Sequence, residues 1–191
     1  MKRALLLACL CAATAHAQAG RVKVTIETSL GRIEAELDSA RAPGTVTNFL
    51  RYVDAHEYDG GRFHRAVTMA NQPNNVVKIE VIQAGPAPEK ASAGFPPIPL
   101  ERTSVTGLHH ENGTLSMARG GPDSATSDFF ICIGAQPELD FGGKRNADGQ
   151  GFAAFGQVIG GMEVVRRIQM GASDAQRLTP PIAIAGITRR K

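Results

Sequence analysis

Residues Gly113–Gly134, GTLSMARGGPDSATSDFFICIG, hold two short apolar runs, Thr114–Ala118 and Phe129–Ile133. The residues between them are rich in Gly, Pro, Asp, Ser and Thr, which turn a backbone or hydrogen-bond to it. The stretch is a strand, a loop and a strand. Phe129 and Phe130 are adjacent, so on a strand they face opposite ways. One is assigned to a core and the other is left to line a cleft.

Outward from that stretch, short strand patterns recur. Val22–Glu27 and Ile33–Leu37 alternate apolar and polar residues with Ser29-Leu30-Gly31 between them, which predicts a β-hairpin with one wet face. The period then changes. Val46, Phe49, Leu50 and Val53 fall on one helical face, with Pro43 near the start, where a missing N–H costs nothing. Arg62–Val67 is a further strand, and Val76–Gln83 is strongly β in composition. A polar, turn-rich insertion, Asn71–Asn75, separates these two. Gly85–Pro99 and Pro137–Gly151 are loops by composition, Phe152–Ile159 a strand, Met162, Val165 and Ile168 a second short helix, and Ile182, Ile184 and Ile187 a closing strand. About eight short strands, two separated helices and long connections argue for one β-barrel domain with its ends plugged by the helices.

The N-terminus carries a different signal. Lys2 and Arg3 precede an apolar run, Ala4–Ala13, and Ala15-His16-Ala17 is a small-x-small cleavage site. This pattern predicts a secretory signal peptide over 1–17, too short to span a bilayer, and a single domain over 18–191. The protein is therefore expected outside the cytoplasm, in the periplasm or secreted. Lys2 and Arg3 are two of 21 basic residues, which leaves 19 against 18 acidic ones, so the domain is near neutral and has no nucleic-acid footprint. Cys9 and Cys11 leave with the leader. Cys132 remains alone in an apolar strand as a buried, inert thiol.

Common catalytic signatures are missing: there is no G-x-S-x-G, P-loop, G-x-G-x-x-G or H-E-x-x-H. His109-His110-Glu111 invites a metal reading, but adjacent histidines on a strand point apart, and no metal or cofactor is expected. What remains is a lone arginine, Arg65, among the apolar strands Phe63-His64-Arg65, Val81-Ile82-Gln83 and Phe129-Phe130.

In order and content these segments resemble a cyclophilin, and the Met117-Ala118-Arg119 and Ser124-Ala125-Thr126-Ser127 wording looks like the bacterial periplasmic branch. The resemblance runs from Val22 to Ile187 and includes Phe155-Gly156-Gln157-Val158-Ile159-Gly160-Gly161-Met162. It implies a mainly β fold, a closed eight-stranded antiparallel β-barrel capped by two α-helices, and peptidyl-prolyl cis-trans isomerase activity on proline-containing polypeptides, by a monomer. Arg65 matches the family's catalytic arginine. By the same matching Phe130 is the aromatic floor of the proline pocket, Val81 takes a position usually held by Met, Leu139 and Phe152 form further wall, and Gln83 bonds the substrate backbone. Ala118, Arg119 and Gly120 form the strand edge along which the peptide lies.

Three carboxylates depart from the family pattern. Glu80 falls where a pocket Phe is usual, Asp128 replaces a Gln beside the site, and Glu138 stands where many members have an aromatic. The expectation is a weakened apolar grip, pairing of Asp128 or Glu80 with Arg65, and a preference for a basic residue beside the proline. The alternative reading is a catalytically weak module of this fold that only binds proline-containing segments.

Overall fold

The computed structural model describes residues 20–90 and 94–190. The segment read as a signal peptide lies outside the described residues. Nine strands form one antiparallel sheet: β1 (Arg21–Thr28), β2 (Gly31–Asp38), β3 (Arg62–Val67), β4 (Val81–Gly85), β5 (Thr114–Met117), β6 (Phe129–Cys132), β7 (Ala153–Gly160), β8 (Ser173–Asp174) and β9 (Arg177–Arg189). Their order is β1-β2-β7-β5-β6-β4-β3-β9, and β1 also pairs with β9. Eight strands therefore close into a barrel with no free edge. The two-residue β8 hairpins onto the start of β9 beside the barrel.

Helix α1 (Pro43–Asp54) has Pro at its first positions, and Val46, Phe49, Leu50 and Val53 are buried as the periodicity predicts. Its N-terminal amide groups are satisfied from far along the chain. Gly44 N and Thr45 N donate to the Glu101 carboxylate at 2.9 and 2.7 Å, a charge suited to the positive end of a helix. A third helix that the pattern did not announce, α2 (Thr103–Thr106), is a single turn. Helix α3 (Met162–Gln169) buries Val164, Val165 and Ile168. It starts where Gly161, at φ +87°, passes so close to the Arg32 carbonyl that a Cβ would sit 2.3 Å from its oxygen. Because α1 follows the far end of β2 and α3 packs by the β1–β2 turn, where Arg167 Nη2 donates to Leu30 O, the two plug opposite ends. α2 adds a third helix to the two expected.

Alternation divides the strands between two clusters. Inside the barrel, Phe129 makes edge-to-face contacts with Phe49 and Tyr58 at 5.3 and 5.6 Å between ring centroids. On the outer wall Phe130 joins Val67, Ile79, Val81, Cys132 and Leu139 in a second apolar cluster. Burial raises the Cys132 thiol pKa, so it stays protonated. The β-rich run Val76–Gln83 becomes strand only from Val81. Residues before it are diverted across the outer wall because Gln72 takes over their backbone bonding. Gln72 Nε2 donates to Ile79 O at 2.8 Å and Ile79 N donates to Gln72 Oε1 at 3.3 Å.

Candidate active site

Strand register assembles the site. Across four neighbouring strands Arg65 stands opposite Gln83, Gln83 opposite Phe130, and Phe130 opposite Ser116. One row lower, Val67, Val81 and Cys132 face one another. Residues in such rows share a sheet face, so the row of Arg65, Gln83, Phe130 and Ser116 lies beside an apolar one on the outside of the barrel. Above them is a cavity of about 220 Å³. Of the residues expected at the site, Arg65, Val81, Gln83, Ala118, Arg119, Phe130, Leu139 and Phe152 line it. Gly120 and Asp128 do not.

The apolar floor is held from beneath. Phe152 meets Phe130 edge-on at 5.3 Å between centroids. The buried His110 ring stacks against Phe130 at 5.9 Å and 14°. His110 is itself fixed, with Nδ1 2.6 Å from Asp140 Oδ1 and Nε2 2.9 Å from Ser116 Oγ. His109 Nδ1 also reaches Asp140, at 2.8 Å. The expectation that these adjacent histidines point apart fails because residues 109–110 are not in a strand, and one carboxylate gathers both. Burial alone would raise the Asp140 pKa, but hydrogen bonds from His110 and His109 outweigh it and hold the carboxyl below its usual range.

Arg65 has no carboxylate partner among the described residues. It is held by two amide oxygens. Its Nη1 donates to Gln83 Oε1 at 3.0 Å, while Nε and Nη2 both donate to Gln176 Oε1, at 2.9 and 2.6 Å. Three of its five N–H bonds are thus used, and two remain. Burial, and then the charge of Arg145, lower its pKa, and a guanidinium stays charged in proteins. Gln83 is oriented in turn, its Nε2 donating to Asp128 Oδ2 at 3.0 Å. Asp128 also lies 3.5 Å from His64 Nε2. Burial lowers the His64 pKa more than Asp128 raises it.

The three departing carboxylates are not in the cavity. Glu80 does not take the pocket position: it precedes β4 on the opposite alternation, and its Oε1 accepts from Gln169 Nε2 at 3.2 Å. Ile79 supplies the apolar wall instead. Asp128 grips Gln83 rather than Arg65. Glu138 is half-buried outside the cavity and accepts from Lys144 N at 2.8 Å. The expected strand edge is also modified. β5 ends at Met117, Ala118 N donates to Asp128 O at 2.9 Å, and Gly120 N is taken by Ser124 Oγ at 3.1 Å. The Arg119 side chain folds back, its two Nη atoms bonding Asp148 at 2.8 and 2.9 Å and its Nε bonding Gly151 O at 2.8 Å.

Besides Ile79 and Asn146 in the lining, two further residues that sequence reasoning missed belong to the site. Gln176, in the β8–β9 hairpin, carries no motif. Arg145 comes from the long loop before β7, lines the cavity, and donates through Nη1 to Gln72 Oε1 at 3.0 Å and Val77 O at 2.7 Å. Chemically, the arrangement is a fixed, charged donor beside an apolar slot, with no nucleophile among the described residues that line it.

Comparisons with known proteins bear on the family and the fold. The family model described as cyclophilin type peptidyl-prolyl cis-trans isomerase/CLD matches residues 23–189. A peptidyl-prolyl cis-trans isomerase of Streptomyces antibioticus is 35% identical over 167 residues, covering 84% of this chain and 94% of that one. One from Acinetobacter baylyi is 38% identical over 156 residues, covering 81% and 75%. The crystal structure of a cyclophilin type peptidyl-prolyl cis-trans isomerase from Cryptosporidium parvum superimposes with a TM-score of 0.72 at 24% identity, covering 90% of this chain and 98% of that one.

Proposed function

The chain belongs to the cyclophilin-type peptidyl-prolyl cis-trans isomerase family, and from that premise we propose that it accelerates X-Pro rotation through Arg65 and the cavity floored by Phe130. The barrier is amide resonance, about 18–20 kcal/mol. No bond is broken, so neither nucleophile nor cofactor is needed. In the twisted transition state the prolyl nitrogen leaves conjugation and regains its lone pair. A donor fixed beside the ring bonds that state better than either planar one. Arg65 has two N–H bonds left for this, and its guanidinium is pre-set by Gln83 and Gln176, so little reorganisation is required. A charge-assisted hydrogen bond is worth about 1.5–3 kcal/mol, or about one to two decades of rate. Apolar contact of the proline ring with Phe130, Val81, Leu139 and Phe152 supplies grip.

The observation that carries this reading is the cavity lining: a charged donor over an apolar floor, with no carboxylate among the described residues that form it. That lining favours turnover over the binding-only alternative, which needed a carboxylate in the pocket. The substrates we assign are exported polypeptides in the periplasm. Lys2-Arg3, the apolar run after them and Ala15-His16-Ala17 support that address. Recovery of the protein in a periplasmic extract, with Gln18 at its N-terminus, tests it. The activity is tested by NMR exchange on an Ala-Pro peptide, using protein that starts at Gln18 and its Arg65→Ala variant. Acceleration that falls by about one to two decades in the variant is expected. Equal rates with and without wild-type protein would overturn the isomerase reading.

A further inference from the structure

The charge around the cavity is one-sided. Arg65 and Arg145 both line it, and neither is within ion-pair distance of a carboxylate among the described residues. The third arginine of the lining, Arg119, is already neutralised by Asp148. Arg145 is anchored by Nη1 alone, between the Gln72 side chain and the Val77 carbonyl. Its Nε–H and both Nη2–H bonds are left over. On the other side of Arg65 an open groove of about 520 Å³ continues along His64 and Gln176. Arg62 and Arg177 line that groove against a single acid, Asp174, and neither makes an ion pair among the described residues.

We propose that the enzyme prefers proline segments carrying an acidic side chain near the proline, with Arg145 as the residue that selects it and Arg62 and Arg177 adding to the field. This rests on the isomerase reading and extends it to substrate class. It also reverses the preference expected when Glu80, Asp128 and Glu138 were assigned to the pocket. Two like charges on one lining repel, and a carboxylate placed beside Arg145 relieves that repulsion while accepting the unused N–H bonds of Arg145, which leaves those of Arg65 for the prolyl nitrogen. A guanidinium held by one nitrogen presents its remaining fork in a fixed orientation, so little side-chain entropy is lost when an acid docks. A basic side chain at the same place meets Arg65 and Arg145 without a compensating acid.

The test compares three peptides that differ only beside the proline, bearing Glu, Ala or Lys, first on its N-terminal and then on its C-terminal side. Exchange rates are measured with wild-type protein and with Arg145→Gln, which keeps donors and removes the charge. For wild type we expect kcat/KM on the Glu peptide to exceed that on the Lys peptide by about three- to tenfold on at least one side. The ratio should shrink between about 0.02 M and 0.2 M salt. In Arg145→Gln it should fall toward one, with thermal melting showing that the variant is folded. Arg177→Gln, on an exposed strand residue, should lower the ratio less. Equal rates for the three peptides would overturn the acidic preference and leave the isomerase reading standing. A ratio unchanged in folded Arg145→Gln would overturn the selecting role of Arg145. Failure to accelerate any peptide would overturn the isomerase reading and this inference with it.

Discussion

Gln176 holds Arg65 from 111 residues away, one amide oxygen accepting from both Nε and Nη2 at 2.9 and 2.6 Å. The grip is itself fixed, because Ala66 N donates to Gln176 O at 2.9 Å and Gln176 Nε2 donates to Asn71 O at 3.3 Å. Gln176 touches the donor proposed for catalysis and lies on the far side of Arg65 from the apolar floor, so its proposed action is by orientation. Gln176→Ala should lower kcat by about three- to tenfold with KM little changed, less than the loss of Arg65 itself. Gln176→Asn, a shorter amide, should recover less than half of it. Steady-state kinetics on an Ala-Pro peptide decide the matter.

Arg65→Ala should reduce turnover by about one to two decades, the worth of one charge-assisted hydrogen bond. The row that carries it faces outward, so the variant should melt close to wild type. Normal turnover in a folded variant would remove Arg65 from the mechanism.

The two phenylalanines of β6 should separate stability from activity. Phe129 is fully buried in the barrel core, and Phe129→Ala should cost about 3–5 kcal/mol in denaturant unfolding. Phe130→Leu should cost only about 1 kcal/mol. It should nonetheless lower kcat/KM by about tenfold, because the ring against which the proline packs is lost.

Glu80 and Val81 form a similar contrast. Glu80→Gln should leave kcat/KM within about twofold of wild type, since its carboxylate bonds Gln169 outside the cavity. Val81→Glu, one residue on, puts a carboxylate on the apolar floor and should lower kcat/KM by at least about tenfold. Similar values for both variants would contradict the alternation that places Ile79 and Val81 in the wall.

The Arg119–Asp148 pair should survive acid. Hydrogen bonds from Arg119, then from the Gln150 amide, pull the Asp148 carboxyl pKa down to about 2. A carboxylate depressed in the folded state contributes fully above its unfolded value, about 3.9, and the contribution is lost as pH falls through the folded one. Protection of the Gly149–Phe152 amides against hydrogen exchange should therefore stay level from about pH 8 to about pH 4. In Asp148→Asn that protection should be reduced across the whole range.

The parts of this molecule legible in the sequence are those fixed by local period and local turns. The β1–β2 hairpin, the face of α1, the strand Arg62–Val67 and the opposite facing of Phe129 and Phe130 all follow from spacing within one element. The positions of Arg65, Gln83 and Phe130 in one row follow from the same alternation once the strands pair. What stayed hidden depends on side chains meeting across long separations. Val76–Glu80 has β-forming composition, yet Gln72 and Arg145 capture its carbonyls before it can join the sheet. That diversion moved the pocket wall from Glu80 to Ile79 and turned an expected acidic pocket into a basic one. Gln176 is a single glutamine in a two-residue-strand hairpin, and no pattern marks it until the barrel has closed.

The barrel core and the candidate site share the same strands in this protein, but on opposite faces. Along β4 and β6 each substitution touches one of them and leaves its neighbour's task intact, so specificity has room to drift while the barrel persists. Length changes are another matter. One residue inserted within β6 would exchange Phe129 for Phe130 and spoil core and pocket together. Long connections of this chain lie instead between β3 and β4 and over Pro137–Gly151, and they meet as Gln72 and Arg145 beside the cavity. Variation by substitution is open to the strands, and variation by insertion is confined to the loops that roof the site.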